Sequence, residues 1–172
     1  NIDIMLILDK PCVSRDFITD VQVITDVVFC ASKKHPLVAK SQIDLEEILE
    51  YPCILTEKNA SYRYILESRL SDLGLGISPS IESHNTNLII KLLCNNMGYS
   101  VLPRFLIEPK LRDDVLKVLP IRDFDIKVSY QVLHKKDRFV NRQMESFINL
   151  LKKQAGMLQV TNKYQDIVFN DL

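Results

Sequence analysis

Glu82, Ser83 and His84 are the three side-chain types of a hydrolytic site, set side by side. A nucleophile, its base and the orienting acid must converge in space, and adjacent residues do not easily do so. The chain also has no G-x-S-x-G elbow to raise a serine above a strand. No catalytic residue is therefore expected. The same stretch, Ile81 to Phe105, offers binding chemistry instead. Ser83, His84, Asn85 and Thr86 gather where a helix begins, and Leu88, Ile89, Leu92 and Leu93 recur at helical spacing. Asn96 and Gly98 bracket the helix end, where a left-handed backbone is needed. Tyr99 to Leu102 reads as a strand, and Pro103 ends it. Asn59 to Tyr62 is a second polar helix start. Such starts carry unpaired N–H groups and the positive end of the helix dipole, so they stabilise a carboxylate or a phosphate.

Other chemistries find less support. Cys12, Cys30, Cys53 and Cys94 have no CxxC spacing, and three of them lie in apolar runs. They read as reduced, buried thiols of a cytoplasmic protein, and no metal site or cofactor is expected. With 22 basic and 22 acidic residues the net charge is zero, which argues against nucleic-acid binding by these residues themselves. The paired basics Lys33-Lys34 and Lys135-Lys136 sit beside turns and read as solvated surface. No apolar run of about 18 residues is present, so no membrane span is expected.

The elements that must position the helix starts can be read in order. Ile4 to Leu8 is an apolar run, expected to be a parallel strand covered on both faces. Gln22 to Ala31 is a second strand. Asp44 and Glu47 form a capping-box pattern at a short helix that Tyr51-Pro52 stops. Cys53 to Leu55 is a buried strand, and Tyr62, Ile65, Leu66, Leu70 and Leu73 share a helix face ending at Gly74. Pro103 to Ile107 reads as a helical turn, Glu108 to Asp114 as a charged linker and Val115 to Leu119 as a strand. Lys127 to His134 alternates, as in a half-exposed strand at a sheet edge or one antiparallel to its neighbours. Val140, Met144, Phe147, Ile148 and Leu151 form a helix stripe ending near Gly156. Residues 157–172 have weak periodicity and are expected to form an extra arm or strand. Interleaved strands and helices of this kind make an α/β fold. Because an apolar strand follows Asn1 almost at once, the sequence reads as a piece of a longer protein.

Four motifs, in this order, carry a family resemblance. Asn1-Ile2-Asp3-Ile4-Met5-Leu6-Ile7 followed by Pro11 resembles "G-x-L-D-x-A-I". Phe29 to Leu37, ending His35-Pro36-Leu37, resembles an "HPLA" strand end. Ile43 to Ile48 with Tyr51-Pro52 resembles "I-x-L-x-D-L-x-x-Y-P". Asn96 to Pro103 resembles "G-x-G-I-A-x-L-P", with Asn96 for the first glycine. Together they are similar to the effector-binding domain of LysR-type transcriptional regulators, over residues 1 to about 155. The resemblance implies two Rossmann-like lobes of the periplasmic-binding-protein type 2 fold. The first lobe would comprise residues 1–36 and 112–156, without its first two β-α units. The second would comprise residues 37–111. It further implies a small-molecule effector held between the lobes, self-association into dimers or tetramers, and DNA contact only through an N-terminal helix-turn-helix domain absent from this sequence. The surviving part of the self-association surface is expected at helix 61–73. The alternatives are an extracytoplasmic solute-binding protein and an enzyme of the same fold, similar to prephenate dehydratase.

Mapped onto this chain, the family's ligand loops are Leu8 to Lys10, Thr56 to Ser61, Glu82 to Thr86 and Met97 to Ser100. The candidate ligand-binding residues are Asp9, Thr56, Asn59, Ser61, Glu82, His84, Asn85, Tyr99 and Ser100. Ser61 and Asn85 can donate to a ligand or cap their helices, and capping is the favoured reading. Thr56 points to the cleft or to a backbone group. His84 can sense a ligand's charge, with a hydrogen-bonded exposed histidine as the favoured alternative. Glu82 can bind a cationic group, but a structural pair with Arg63 or Arg104 is favoured. Tyr99 faces the cleft or packs into its lobe. The polar set as a whole suits a small polar or anionic metabolite.

Overall fold

A computed structural model describes residues 2–11 and 14–168, with side-chain surroundings through residue 156. The elements run β1 (Ile4–Asp9), β2 (Phe17–Ser32), a 3-10 turn (Pro36–Ala39), α1 (Leu45–Leu49), β3 (Ile54–Leu55), α2 (Ser61–Asp72) and β4 (Ile81–Glu82). They continue with α3 (Thr86–Cys94), β5 (Tyr99–Pro103), α4 (Arg104–Arg112), β6 (Leu116–Val118), β7 (Ile126–Lys135) and α5 (Arg142–Val168). The chain divides into two compact units, residues 1–25 with 128–172, and residues 26–127. These divisions fall inside β2 and near the start of β7.

In the first unit the strand order is β1-β7-β2. β1 runs antiparallel to β7, from Ile4 opposite His134 to Asp9 opposite Ser129. Val21 and Val23 of β2, Val132 of β7 and Ala155 of α5 make its core, with Ile4, Tyr130 and Leu151 packed against them. One expectation fails here and one is decided between its alternatives. β1 is neither parallel nor buried on both faces: it runs antiparallel to β7, none of its residues is fully buried, and Leu6 is 52% exposed. β7 takes the antiparallel alternative rather than that of a half-exposed edge strand, and Ser129 and Gln131 are buried along with Val128 and Val132. The Gln131 amide repays its burial by donating to the Lys10 carbonyl at 3.0 Å. The weak periodicity past Gly156 also misled, since α5 runs on to Val168 as one helix. Cys12, one of the four cysteines read as reduced thiols, lies outside the described residues.

The second unit packs more completely. Ile48, Ile54, Leu55, Leu66, Leu70, Ile89, Leu93, Tyr99 and Leu102 are all essentially inaccessible. β5 lies antiparallel to β2, with Phe29 opposite Val101, and β6 pairs with the end of β2. β3 and β4 form a short parallel pair, and Cys53 bridges in parallel to Tyr99. The charged linker expected at 108–114 is instead mostly α4, which carries Pro109 within it. Asp44 does precede α1, but no capping bond forms. Its carboxylate pairs with Arg122 at 3.3 Å, and Glu47 pairs with Lys40. These partners are distant in sequence or on the preceding loop, and they take both carboxylates away from the helix start.

Candidate functional site

Parallel strands end on the same side, so the loops that follow them emerge together. Ile54 lies opposite Ile81 and Leu55 opposite Glu82, and the Ser83 N–H donates to the Leu55 carbonyl at 3.1 Å. The loop after β3 leads into α2, and the loop after β4 leads into α3. Two helix starts therefore stand at one edge of the second unit.

The α3 start is ordered by its own side chains. Asn85 is extended and its Oδ1 accepts from the Leu88 N–H at 3.1 Å, so Asn85 caps the helix. The Ser83 hydroxyl accepts from the Asn85 N–H at 3.1 Å. His84 between them is exposed. The α2 start differs from expectation by one position. Ala60 is the capping residue, with no side chain able to cap, and Ser61 is the first helical residue. Asn59 is exposed on the loop before it.

Beneath these loops lies Arg63, 1% exposed despite its charge. Its Nη1 donates to the Thr56 carbonyl, at the end of β3. The same Nη1 reaches Glu82 Oε2 at 3.2 Å, at the end of β4, and its Nε reaches Glu67 Oε1 at 2.7 Å. One guanidinium thus ties both strand ends to α2, and the fork geometry of arginine suits three acceptors at once. Glu82 is the structural pair of Arg63, not of Arg104, which pairs with Glu108 at 3.4 Å. Thr56 is 4% exposed, and its carbonyl is the group engaged. The extent of Arg63's role was not legible in the sequence. Its only signal was a basic residue next to Tyr62 on a helix flank otherwise buried.

Tyr99 and Ser100 are 0% exposed and lie in the core of the second unit. The Tyr99 ring stacks on Phe29 at 6.0 Å. Burial pushes its phenol above the usual range, and pushes the Cys30 and Cys53 thiols up to about 12. Asp9 ends β1 in the first unit, where it is exposed and accepts from the Lys10 N–H at 2.6 Å. Among the described residues no three His, Cys, Asp or Glu side chains are grouped to hold a metal ion. The edge at Thr56–Ser61 and Glu82–Thr86 brings together two helix starts and the polar side chains of the loops before them.

Comparison with known proteins adds to this geometry. Residues 1–156 match the model of the LysR substrate binding domain. The chain is 23% identical, over 88% of its length, to the HTH-type transcriptional activator CmpR of Synechocystis. It is 24% identical, over 74% of its length, to the HTH-type transcriptional regulator CysL of Bacillus subtilis. It covers 50% and 42% of those proteins, so it spans about half the length of the curated relatives it matches. Among solved structures it resembles the Synechocystis CcmR regulatory domain in complex with 2-PG, with a TM-score of 0.74 at 20% identity. That match covers 89% of this chain and 73% of the other. The effector-binding domain of QuiR in complex with shikimate gives a TM-score of 0.67 at 16% identity, covering 88% of this chain and 72% of the other.

Proposed function

We propose, for a chain that belongs to the LysR substrate-binding domain family, that it forms the effector-sensing part of a LysR-type transcriptional regulator. The observation that carries this reading is the family match, which spans both compact units and every strand-end loop of the candidate site. The fold is of the type 2 periplasmic-binding kind shared by LysR regulatory domains. The curated relatives are helix-turn-helix regulators, which favours this role over an extracytoplasmic solute-binding protein.

The working model is a linkage. A small polar or anionic metabolite binds at the edge formed by Thr56 to Ser61 and Glu82 to Thr86. The resemblance divides the chain into one lobe of residues 1–36 and 112–156, to which Asp9 belongs, and a second of residues 37–111. The ligand's different affinity for two conformations sets how often the regulator occupies DNA. DNA contact belongs to a helix-turn-helix domain outside this sequence, consistent with the zero net charge here. The protein works in the cytoplasm as a dimer or tetramer, with α2 at the contact between copies, and it performs no catalysis. Among the described residues no helix is long and apolar enough to cross a membrane.

A thermal-shift screen tests this. Since related regulatory domains were solved with 2-PG and with shikimate, both enter the panel beside small carboxylates, amino acids and phosphorylated sugars. A binder at ~100 times its dissociation constant should add about 2.7 kcal/mol of stability. The shift should be lost in His84→Ala and Ser61→Ala. A shift that survives both variants places the site elsewhere, and no shift with any compound removes metabolite sensing from the reading.

A further inference from the structure

Glu82 is held by one oxygen only. Its Oε2 sits 3.2 Å from Arg63 Nη1, while its side chain remains 42% exposed. Among the described residues no protein donor reaches its Oε1. Arg63 is buried, and its other bonds, to the Thr56 carbonyl and Glu67, fix it against α2 and β3. The guanidinium is thus a rigid mount, and the carboxylate it carries presents a free acceptor beside the loop Ser83–Asn85. An ionised carboxylate accepts hydrogen bonds and cannot donate one. Desolvating that oxygen against an apolar or acceptor group would leave it unsatisfied, at a cost that a donor avoids.

We propose that Glu82, positioned by Arg63, selects ligands that place a hydrogen-bond donor, a hydroxyl or an ammonium group, against its free oxygen. This deepens the sensing-site reading above and rests on it. The class it names is a small acid that also carries a hydroxyl or amino group, in preference to a plain carboxylic acid. Arg63 acts through Glu82 as a positioning residue. A site built around a fixed polar group discriminates strongly against an analogue lacking the matching partner.

The test is a titration of three-carbon acids against the ¹⁵N-labelled protein, using glycerate, L-serine and propionate as probes. Glycerate and L-serine should shift the amide resonances of Glu82 and Ser83 with at least about tenfold higher affinity than propionate. Glu82→Ala should abolish that preference, and Glu82→Gln, which keeps an acceptor, should restore part of it. Glu67→Ala also removes a carboxylate from Arg63, yet should leave the preference intact. A merely structural role would make the Glu67 and Glu82 variants behave alike. Equal binding of all three probes at 56–61 and 82–86 would overturn the proposal and spare the site. Shifts confined to other segments, or none with any probe, would overturn the proposal together with the site on which it rests.

Discussion

β1 and β5 are both largely apolar strands, yet β5 is buried at every position and β1 fully at none. β5 is bonded to β2 on one side and bridged to Cys53 on the other, and α2, α3 and α4 all pack near it. β1 is bonded to β7, and among the described residues no second strand pairs with it. Two largely apolar strands therefore become a core strand in one unit and a half-covered strand in the other. What an apolar run encodes is the strand. Its burial is encoded by whatever the rest of the chain lays across it.

The sharpest test of that contrast lies at the entry to β5. Gly98 has φ +143, and a Cβ there would sit 2.2 Å from the Pro52 carbonyl oxygen. That closeness lets the Tyr99 N–H donate to the same oxygen at 3.0 Å. Gly98→Ala should cost about 3 kcal/mol or more in urea denaturation, since backbone strain and a clash add. A cost under about 1 kcal/mol would mean that β5 is not pinned at its start. Next in size is a matched truncation. Leu102→Ala, at 0% exposure, should cost about 3 kcal/mol, and Leu6→Ala, at 52% exposure, under about 1 kcal/mol. Equal losses would erase the difference between the strands.

The chemistry that made these regions legible was local where the reading succeeded. Asn96 at φ 57 and Gly98 supply the left-handed positions that the sequence pattern demanded, and Asn85 caps α3 as its type suggested. The two polar helix starts were each legible from the residues, while their place at strand-end loops came from the family resemblance. Where the reading failed, the deciding partner was distant. Gln131 is buried because the Lys10 carbonyl awaits it, 121 residues away. Asp44 abandons its helix for Arg122. The sequence leaves Tyr99 open between the cleft and its lobe, and the Phe29 ring and the core around it settle its packing.

Arg63 extends the comparison to the ends of β3 and β4. Arg63→Met should cost about 2 kcal/mol, below the full penalty of a broken buried pair, because Glu67 and Glu82 are 36% and 42% exposed and can rehydrate. Amide hydrogen exchange should accelerate at 56–60 and 83–85 first, and uniform acceleration across the second unit would deny Arg63 its local role. The smallest effect is a pH dependence. Burial holds the His35 imidazole below its ordinary value of 6.5, in keeping with Nδ1 accepting from the Leu37 N–H at 3.4 Å. The unfolded chain takes up this proton first, so the contribution is full above pH 6.5 and is lost as pH falls through the lower folded value. His35→Gln should flatten that acid slope in a melting-temperature profile. An unchanged slope would assign it to other groups.

The two silent thiols of the second unit give its interior a clock. Cys30 and Cys53 are buried and held protonated at neutral pH, while Cys94 is only half-covered. A thiol-modifying reagent must then wait for the core around β5 to open before it reacts at 30 or 53. Their labelling rates, followed by mass spectrometry with Cys94 as the surface standard, would time the opening of that core without altering a single residue.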